Sequence, residues 1–584
     1  MAVQHLEDGN TEELTATVYH YEPTHFSTEE DQLPKGYYRS PFFLGTFAAL
    51  WFGLLGGTGA FAVVAPVLVD INNDIGPDQN YVWLALTYNL TLAIGLLLTG
   101  RLSDIFGRRY FFIGGALLAV IGSIVGATAR TIPILIGSET LLGIASATQL
   151  SFSFALAELV PMKHRFLAMG LIFGATIPLS AMAPAVMAGF MAHYALGWRC
   201  GFYLLLGING VSLICWMLFY FPPTFRMKHC NENYWSYIKT FDYVGFVLFT
   251  GGLVTFLMGL SWGGSVYEWK SGPVITTLAI GFCALVALVL WEGLVPHKEP
   301  LIPVQLLKNR GLLATYLSIG LGAGQYYALA IVWPQMVGAL FSNGDAAYAG
   351  VLSSLSGLGI NLGEITCGFT GRIIGRQKLQ AIVVMFLGGL FFALIAACGP
   401  EDKSKITAFV FLGSYFIGYN ETIMIVTAGM VTDDQQELGS ALGLLGSSRA
   451  AISNVMEVVY NTVLTNRLAK TIPREVGLAV VKAGLPISSV ATYLKALSAG
   501  TTGLAKVPGI NSAIETAGAV AYRHAKMDAY HTVFLTTIAF TGLGVVVNCF
   551  VPNVDEKMTD DVATTLHKAR RSDILPGTEK RLQS

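Results

Sequence analysis

Charge is scarce in this sequence. Asp, Glu, Lys and Arg make up 12% of its 584 residues, against about 25% in a soluble domain. So few charges cannot cover a water-facing surface, so lipid must solvate much of the outside. An excess of either sign is missing too: the net charge is −1, and no global basic field invites nucleic acid. No GxxxxGK[ST] string occurs, and no large polar region could hold a nucleotide domain, so ATP is not the expected energy source. The seven cysteines (Cys200, Cys215, Cys230, Cys283, Cys367, Cys398 and Cys549) are scattered, most within apolar runs. They form no CxxC or Cys/His spacing, so no metal and no cofactor are expected. Catalytic constellations are also missing, and the lone His193 and His297 fall at helix ends. The reading is not that of an enzyme. The first forty residues are acid-rich (Glu7, Asp8, Glu12, Glu13, Glu29, Glu30, Asp31) and have no basic n-region before a short apolar core. No cleavable signal peptide is expected there, and residues 1–42 read as a disordered cytosolic tail.

What the chain does contain is apolar length. Hydrophobic residues reach 53% and glycines number 64, with a mean hydropathy of +0.57. A spanning helix needs roughly 20 apolar residues. Runs of that kind cover 43–70, 80–100, 110–128, 132–159, 166–192, 200–221, 243–263, 272–295, 312–337, 346–370, 379–398, 406–432, 438–464 and 531–552. An open sheet would leave its edge groups unsatisfied in lipid, so these runs must be helices. The expected fold class is an all-α multi-pass membrane protein with about fourteen transmembrane helices.

Lys and Arg in the short loops set the expected orientation. The side that holds Arg101, Arg108, Arg109, Lys163, Arg165, Arg226, Lys228, Lys239, Lys298, Lys308, Arg310, Arg372, Arg376 and Lys378 reads as cytosolic. Both termini then lie in the cytosol. The stretch 465–530 falls outside and still carries Arg467, Lys470, Arg474, Lys482, Lys495, Lys506, Arg523 and Lys526. Long loops escape the positive-inside rule, and short amphipathic pieces here read as a partly helical external loop.

An internal repeat organises the runs. Gly100-Arg-Leu-Ser-Asp104-Ile-Phe-Gly107-Arg108-Arg109 joins the second and third. Gly368-Phe-Thr-Gly-Arg372-Ile-Ile-Gly375-Arg376-Gln377 joins the tenth and eleventh. The glycines recur at identical spacing, and Arg372 stands where Asp104 stands. Two six-helix halves, 43–221 and 312–552, then flank a linker 222–311 that holds an inserted helix pair, with a cytosolic tail at 553–584. Paired halves around a midplane site are a common transporter design.

The string from Gly100 to Arg109 resembles the loop signature of the major facilitator superfamily. Its logic is physical. Gly100 and Gly107 permit a tight turn and close helix approach. Asp104 can pair with an arginine and sit at a helix N-terminus, where negative charge is favoured. Together with Arg108 and Arg109 this forms a latch between the halves. Further strings narrow the resemblance: Gly197-Trp198-Arg199, Asp242-Tyr-Val-Gly245, Trp262-Gly263-Gly264, Trp291-Glu292, Pro303 and Asn309-Arg310. They resemble the fungal fourteen-helix branch that includes siderophore transporters and trichothecene efflux pumps. Ala65-Pro66-Val-Leu-Val-Asp70-Ile71-Asn72 and Tyr81-Val-Trp83 are most similar to the trichothecene efflux group. The fourth helix departs from the pattern of proton-driven exporters: Gly137-Ser-Glu139-Thr-Leu-Leu-Gly143-Ile-Ala145 places Glu139 where an arginine is usual. In the fifth, Ala183-Pro184 keeps the proline, but Met187 and Ala188 replace paired glycines. Pro178 and Pro184 should bend or loosen this helix.

An ionisable residue at mid-bilayer is costly and functional by default. Glu139, Glu364, Glu421 and Arg449 are the proton-coupling candidates. Glu421 and Arg449 each lie about eleven residues from the cytosolic ends of their helices. At about 1.5 Å rise per residue they share one depth and can form a pair. Glu364 lies nearer a cytosolic end, and Glu457 nearer the outer interface. The resemblance implies that the first and fourth helices of each half line the cavity. Those helices carry Gln149, Gln325, Tyr326, Tyr327, Trp333 and Asn420 as substrate contacts, suited to a bulky, mostly apolar ligand with scattered oxygens. Asn89 and Asn420 match a glycosylation pattern but sit inside helices, where they should stay unmodified.

The function expected is secondary transport: proton-coupled efflux of a small apolar metabolite or toxin, trichothecene-like by resemblance. The alternative is proton-coupled uptake of siderophore iron. A third reading, a membrane sensor without flux, lacks a substantial cytosolic signalling region. Membrane lipid, a small-molecule substrate and protons are the expected partners, and the plasma membrane the expected site, with a vacuolar or vesicle membrane second. A monomer is expected.

Overall fold

A computed structural model of the chain describes residues 28–29, 36–78, 81, 83–222, 239–264, 266–295, 300–342, 344–432, 437–498, 504, 507–559 and 561–562. Arg226, Lys228, Cys230, His297, Lys298, Lys506 and most of the two tails lie outside the described residues. All fourteen apolar runs fall on helices. They are α1 Pro41–Val64, α2 Trp83–Phe106, α3 Arg108–Thr128, α4 Ile132–Gln149, α5 beginning at Arg165–Phe173, α6 Arg199–Phe219, α7 Tyr243–Trp262 and α8 Gly272–Leu294. The series continues with α9 Arg310–Leu340, α10 Ala346–Ile374, α11 Gln377–Leu394, α12 Lys403–Val431, α13 Leu438–Lys482 and α14 Ser512–Asn548. Among the described residues, 11 helical spans are long and apolar enough to cross a membrane. α9, α10 and α13 are outside that set. Gly, Ser and charged residues on their protein-facing sides dilute their hydropathy.

Local chemistry starts several helices. Ser40 accepts the Phe43 N–H ahead of α1, with Pro41 in the first turn. Asp242 accepts the Gly245 N–H at 2.8 Å, Asp345 caps α10 through Tyr348, and Asn511 caps α14 through Ile514. Such side chains satisfy backbone donors that the first turn leaves orphaned. α5 is broken. A 3-10 turn at Gly174–Thr176 and a π turn at Ile177–Ala181 precede the restart at Ala183–His193. Pro178 and Pro184 each fall in the opening residues of a new piece, where a missing N–H is tolerated.

The two six-helix halves of the major facilitator fold meet along two seams, α2 with α13 and α5 with α10. Glycine permits both contacts. A Cβ on Gly100 would sit 2.3 Å from the Gly439 carbonyl and 3.0 Å from the Gly443 Cα. A Cβ on Gly368, its counterpart in the repeat, would sit 2.4 Å from the Gly170 Cα. Gly107 and Gly375, also counterparts, take positive φ of 91° and 64°, a turn that only glycine makes without strain.

The inserted pair packs at the side of the first seam. Gly281 lets α8 approach the Phe256 backbone of α7. The Trp83 and Trp262 rings lie 6.3 Å apart. Trp291 donates to Asp242 at 3.0 Å and Glu292 accepts from the Ile302 N–H at 3.0 Å, which ties α8 to both flanking segments. Its outer side faces lipid through exposed Ile280, Phe282 and Val289. The stretch 465–530 is more helical than expected. α13 runs on to Lys482, Ile487–Ser498 is a helix, and α14 begins at Ser512. They enclose a small core of Val476, Val480, Tyr493 and Ile514, and Arg467 pairs with Asp528 at 2.9 Å.

Candidate transport cavity and latch

At one end of the bundle the repeat motif forms a charge cluster. Arg108 donates to Asp104 Oδ1 at 3.1 Å and to Glu158 at 2.9 Å. Asp104 Oδ2 accepts the Ser440 N–H at 2.7 Å and its hydroxyl at 3.0 Å. The carboxylate thus sits at the N-terminus of α13, in the other half, where the helix dipole favours it. All three charged groups are buried. On the opposite seam Arg165 donates to the Gly429 carbonyl at 2.9 Å. Arg109 takes no part in the cluster: it donates to the Met217 carbonyl and lies 3.8 Å over the Phe221 ring.

Between the halves lies a cavity of about 700 Å³, within the usual size of a small-molecule site, about 300–1,000 Å³. It starts above the latch at Leu150, Phe173 and Leu442. It reaches the opposite end at exposed Val69 and Trp269. Its wall is aromatic and aliphatic (Phe61, Tyr88, Tyr326, Tyr327, Ile331, Ile425), with four charged residues: Glu364, Glu421, Arg449 and Glu457.

Arg449 and Glu421 meet in this wall at 2.7 Å. Arg449 also donates to the Tyr327 hydroxyl at 3.3 Å and lies 5.3 Å from that ring. Tyr327 in turn stands 6.2 Å from Phe61 of α1. Through Tyr327 the pair is linked to α1 of the first half. Glu421 is 5% exposed, and its Oε2 has no hydrogen-bond partner among the described residues.

The remaining candidates separate. Tyr326 and Tyr327 face the cavity. Gln149 donates to Asn209 at 2.7 Å inside the first half. Gln325 accepts from Thr541 at 3.2 Å, Trp333 donates to the Leu352 carbonyl at 3.1 Å, and Asn420 joins Ser318 and Asn548. These four knit helices together and do not line the cavity. Glu139 does not line it either: it is 1% exposed, with neither oxygen hydrogen-bonded among the described residues. An all-apolar helix carries no marker of which side faces the pathway, and this misplaced five candidates. Glu364 and Glu457 depart in the other direction. Both line the cavity.

Sequence reasoning passed over Glu158, Ser440, Thr176 and Asn361. Glu158 was visible as a carboxylate inside an apolar run. The other three are ordinary small polar residues whose partners lie 185 or more residues away. The strings that carried the resemblance have structural work. Trp198 and Arg199 both donate to Asp74, and Trp269 covers Gly263 and Gly264.

Comparison with known proteins agrees with this architecture. A family model described as fungal trichothecene efflux pump (TRI12) matches residues 20–583. The "Trichothecene efflux pump TRI12" of Fusarium sporotrichioides is 24% identical over 565 residues, covering 95% of this chain and 94% of that protein. The "MFS-type transporter prx5" of Penicillium rubens is 29% identical over 509 residues, covering 85% and 89%. Among solved structures, the human organic anion transporter MFSD10 (TETRAN) superposes with a TM-score of 0.53 at 15% identity, covering 87% of this chain and 100% of that one. At that identity the likeness speaks for the fold alone.

Proposed function

Because the chain belongs to the fungal trichothecene efflux pump family, we propose that it exports a small, bulky, largely apolar compound in exchange for protons, a trichothecene-like sesquiterpenoid being the substrate class. The observation that carries this reading is the Glu421–Arg449 pair in the wall of a cavity closed at the latch end. The latch end is taken as cytosolic, both termini with it, and the membrane as the plasma membrane. The cavity then opens outward in the state described.

The cycle follows from charge. With the cavity outward, a proton reaching Glu421 neutralises it and frees Arg449 from its ion pair. Removing one partner of a buried pair leaves the other uncompensated, a cost of about 3–5 kcal/mol. That cost drives the halves toward the inward-facing arrangement, where the proton leaves and substrate enters. Aromatic walls bind the apolar body without a fixed set of hydrogen bonds. Glu139, buried and unbonded, is a second reservoir for a proton in the first half.

The test is flux. Yeast lacking its own drug pumps and expressing the chain is loaded with labelled trichothecene under an imposed pH gradient. Faster loss than in control cells is expected, abolished by a protonophore and by Glu421→Gln. Unchanged retention despite surface expression would overturn toxin export and move siderophore uptake forward. Loss that survives in Glu421→Gln would keep the exporter and discard this proton site.

A further inference from the structure

Thr176, Asn361 and Glu364 stand in a line that crosses from one half to the other. Thr176 lies at the break in α5, in the 3-10 turn before Pro178. Its hydroxyl oxygen is 2.7 Å from Asn361 Oδ1 and 2.8 Å from the Phe173 carbonyl. Asn361 Nδ2 donates to Glu364 Oε2 at 3.4 Å. The three residues are 2%, 2% and 5% exposed, and all line the cavity. A hydroxyl has one proton, so Thr176 serves one of its two acceptors at a time. A primary amide has an acceptor at one end and donors at the other, in nearly the same outline.

We propose that Asn361 is a positioning residue that passes the protonation state of Glu364 across the α5–α10 seam by turning its amide over. With Glu364 ionised, the amide N–H donates to the carboxylate, and the amide oxygen accepts the Thr176 O–H. When Glu364 binds a proton, its own O–H donates to the amide oxygen. The amide N–H then points at the Thr176 oxygen, whose proton turns to the Phe173 carbonyl. One proton is bound, none is released, and Thr176 Oγ1, the two amide heavy atoms of Asn361 and Glu364 Oε2 keep a partner in either setting. Glu364 can therefore titrate while the seam stays joined, and the direction of the Thr176 hydroxyl reports its charge to the other half.

The groups that face Glu364 are known from each element packed there. α12 brings Glu421, α13 brings Arg449, and α9 brings Tyr326 and Tyr327. α5 brings Thr176, a neutral group. In the ionised setting the Thr176 O–H polarises the amide whose N–H faces the charged carboxylate, and hydrogen bonds in such a chain strengthen one another. Loss of Thr176 as donor weakens that setting more than the protonated one.

This inference rests on the proton-exchange reading, and its test is separable from that reading. Infrared difference spectra between high and low pH are recorded on the purified full-length protein, with no substrate. The Glu364 carboxyl signal is identified by its disappearance in Glu364→Gln. Thr176→Val and Asn361→Leu are expected to move its pH midpoint alkaline by about half to one unit, a three- to tenfold change in proton affinity. Thr176→Ser, which keeps the hydroxyl, is expected to return it. A midpoint unmoved by Thr176→Val overturns the relay, as does a Thr176→Ser midpoint that stays with Thr176→Val. Absence of a signal lost in Glu364→Gln overturns it too. If flux fails but the midpoints move, proton-driven export falls and the relay stands.

Discussion

The two seams between the halves share a backbone device and differ in what holds them. Both cross where a repeat glycine meets glycine, Gly100 with Gly439 and Gly443, and Gly368 with Gly170. On the α2–α13 side the contact is reinforced by buried charge, with Asp104 on the α13 N-terminus and Arg108 joining it to Glu158. On the α5–α10 side the equivalent position is Arg372, which is exposed. That seam is closed along its length instead by small residues, with Gly357 against Ala181 and Gly350 against Pro184, and by the neutral Thr176–Asn361 bond. Its loop is tied down by the C-terminal segment: Asp555 accepts from the Arg376 N–H at 2.9 Å and from the Gln377 side chain at 2.8 Å. One sequence repeat thus yields one seam locked by a buried carboxylate–guanidinium cluster and another whose helix contact is made by small neutral side chains, with the buried Arg165 bonded to the Gly429 carbonyl at its latch end. In the proposed transport cycle the charged cluster is the contact that breaks and the small-residue face the one that stays packed.

The largest test of this asymmetry is Asp104→Ala against Arg372→Ala. Asp104→Ala leaves a buried guanidinium short of a partner and the α13 N-terminus uncapped. A loss of about 3–5 kcal/mol is expected for the closed latch, moving the closed-to-open ratio by a factor of roughly one hundred to several thousand. Spin-label distances across the latch end on a cysteine-free background would read it. Arg372→Ala should change that distance distribution within about 0.5 kcal/mol. Equal effects from the two would break the comparison.

Glycine gives the next effect, and here the seams should agree. Gly100→Ala and Gly368→Ala each drive a Cβ into backbone that has no flexible end to yield. Each is expected to weaken latch closure by about 1–3 kcal/mol, the ordinary cost of overpacking, in the same distance measurement. A smaller effect than the glycine substitutions belongs to Asp555→Ala, which removes a capping acceptor on exposed backbone. About 1 kcal/mol is expected, visible as a lower melting temperature in detergent with flux little changed. A large loss of flux would make the C-terminal segment part of the lock.

Much of this was legible in the residues. Run length located the helices, and the repeat marked the two loops at the latch end before any contact was known. Glu421 and Arg449 were paired by depth alone, because helical rise is constant and both lie far from an interface. The rest was not legible, for one physical reason. Helices between lipid and protein are apolar on all sides, so rotation about the axis leaves no pattern. Gln149, Gln325, Trp333 and Asn420 were placed on cavity helices, and their side chains turned into packing. Asn361 and Thr176, with no charge to mark them, turned to the cavity.

By itself the sequence determined that the chain lives in lipid, where its helices lie, that it is built from two related halves, and which charges sit deep. Each follows from free energies that a residue carries with it: hydration, helical rise and the space a glycine leaves. Tertiary structure alone decided which face of each helix lines the cavity, that Asp104 caps a helix 336 residues away, and that one seam buries a carboxylate–guanidinium cluster where the other packs small side chains. Those depend on how two packed bodies meet, a property of pairs of distant residues that no single stretch of chain contains.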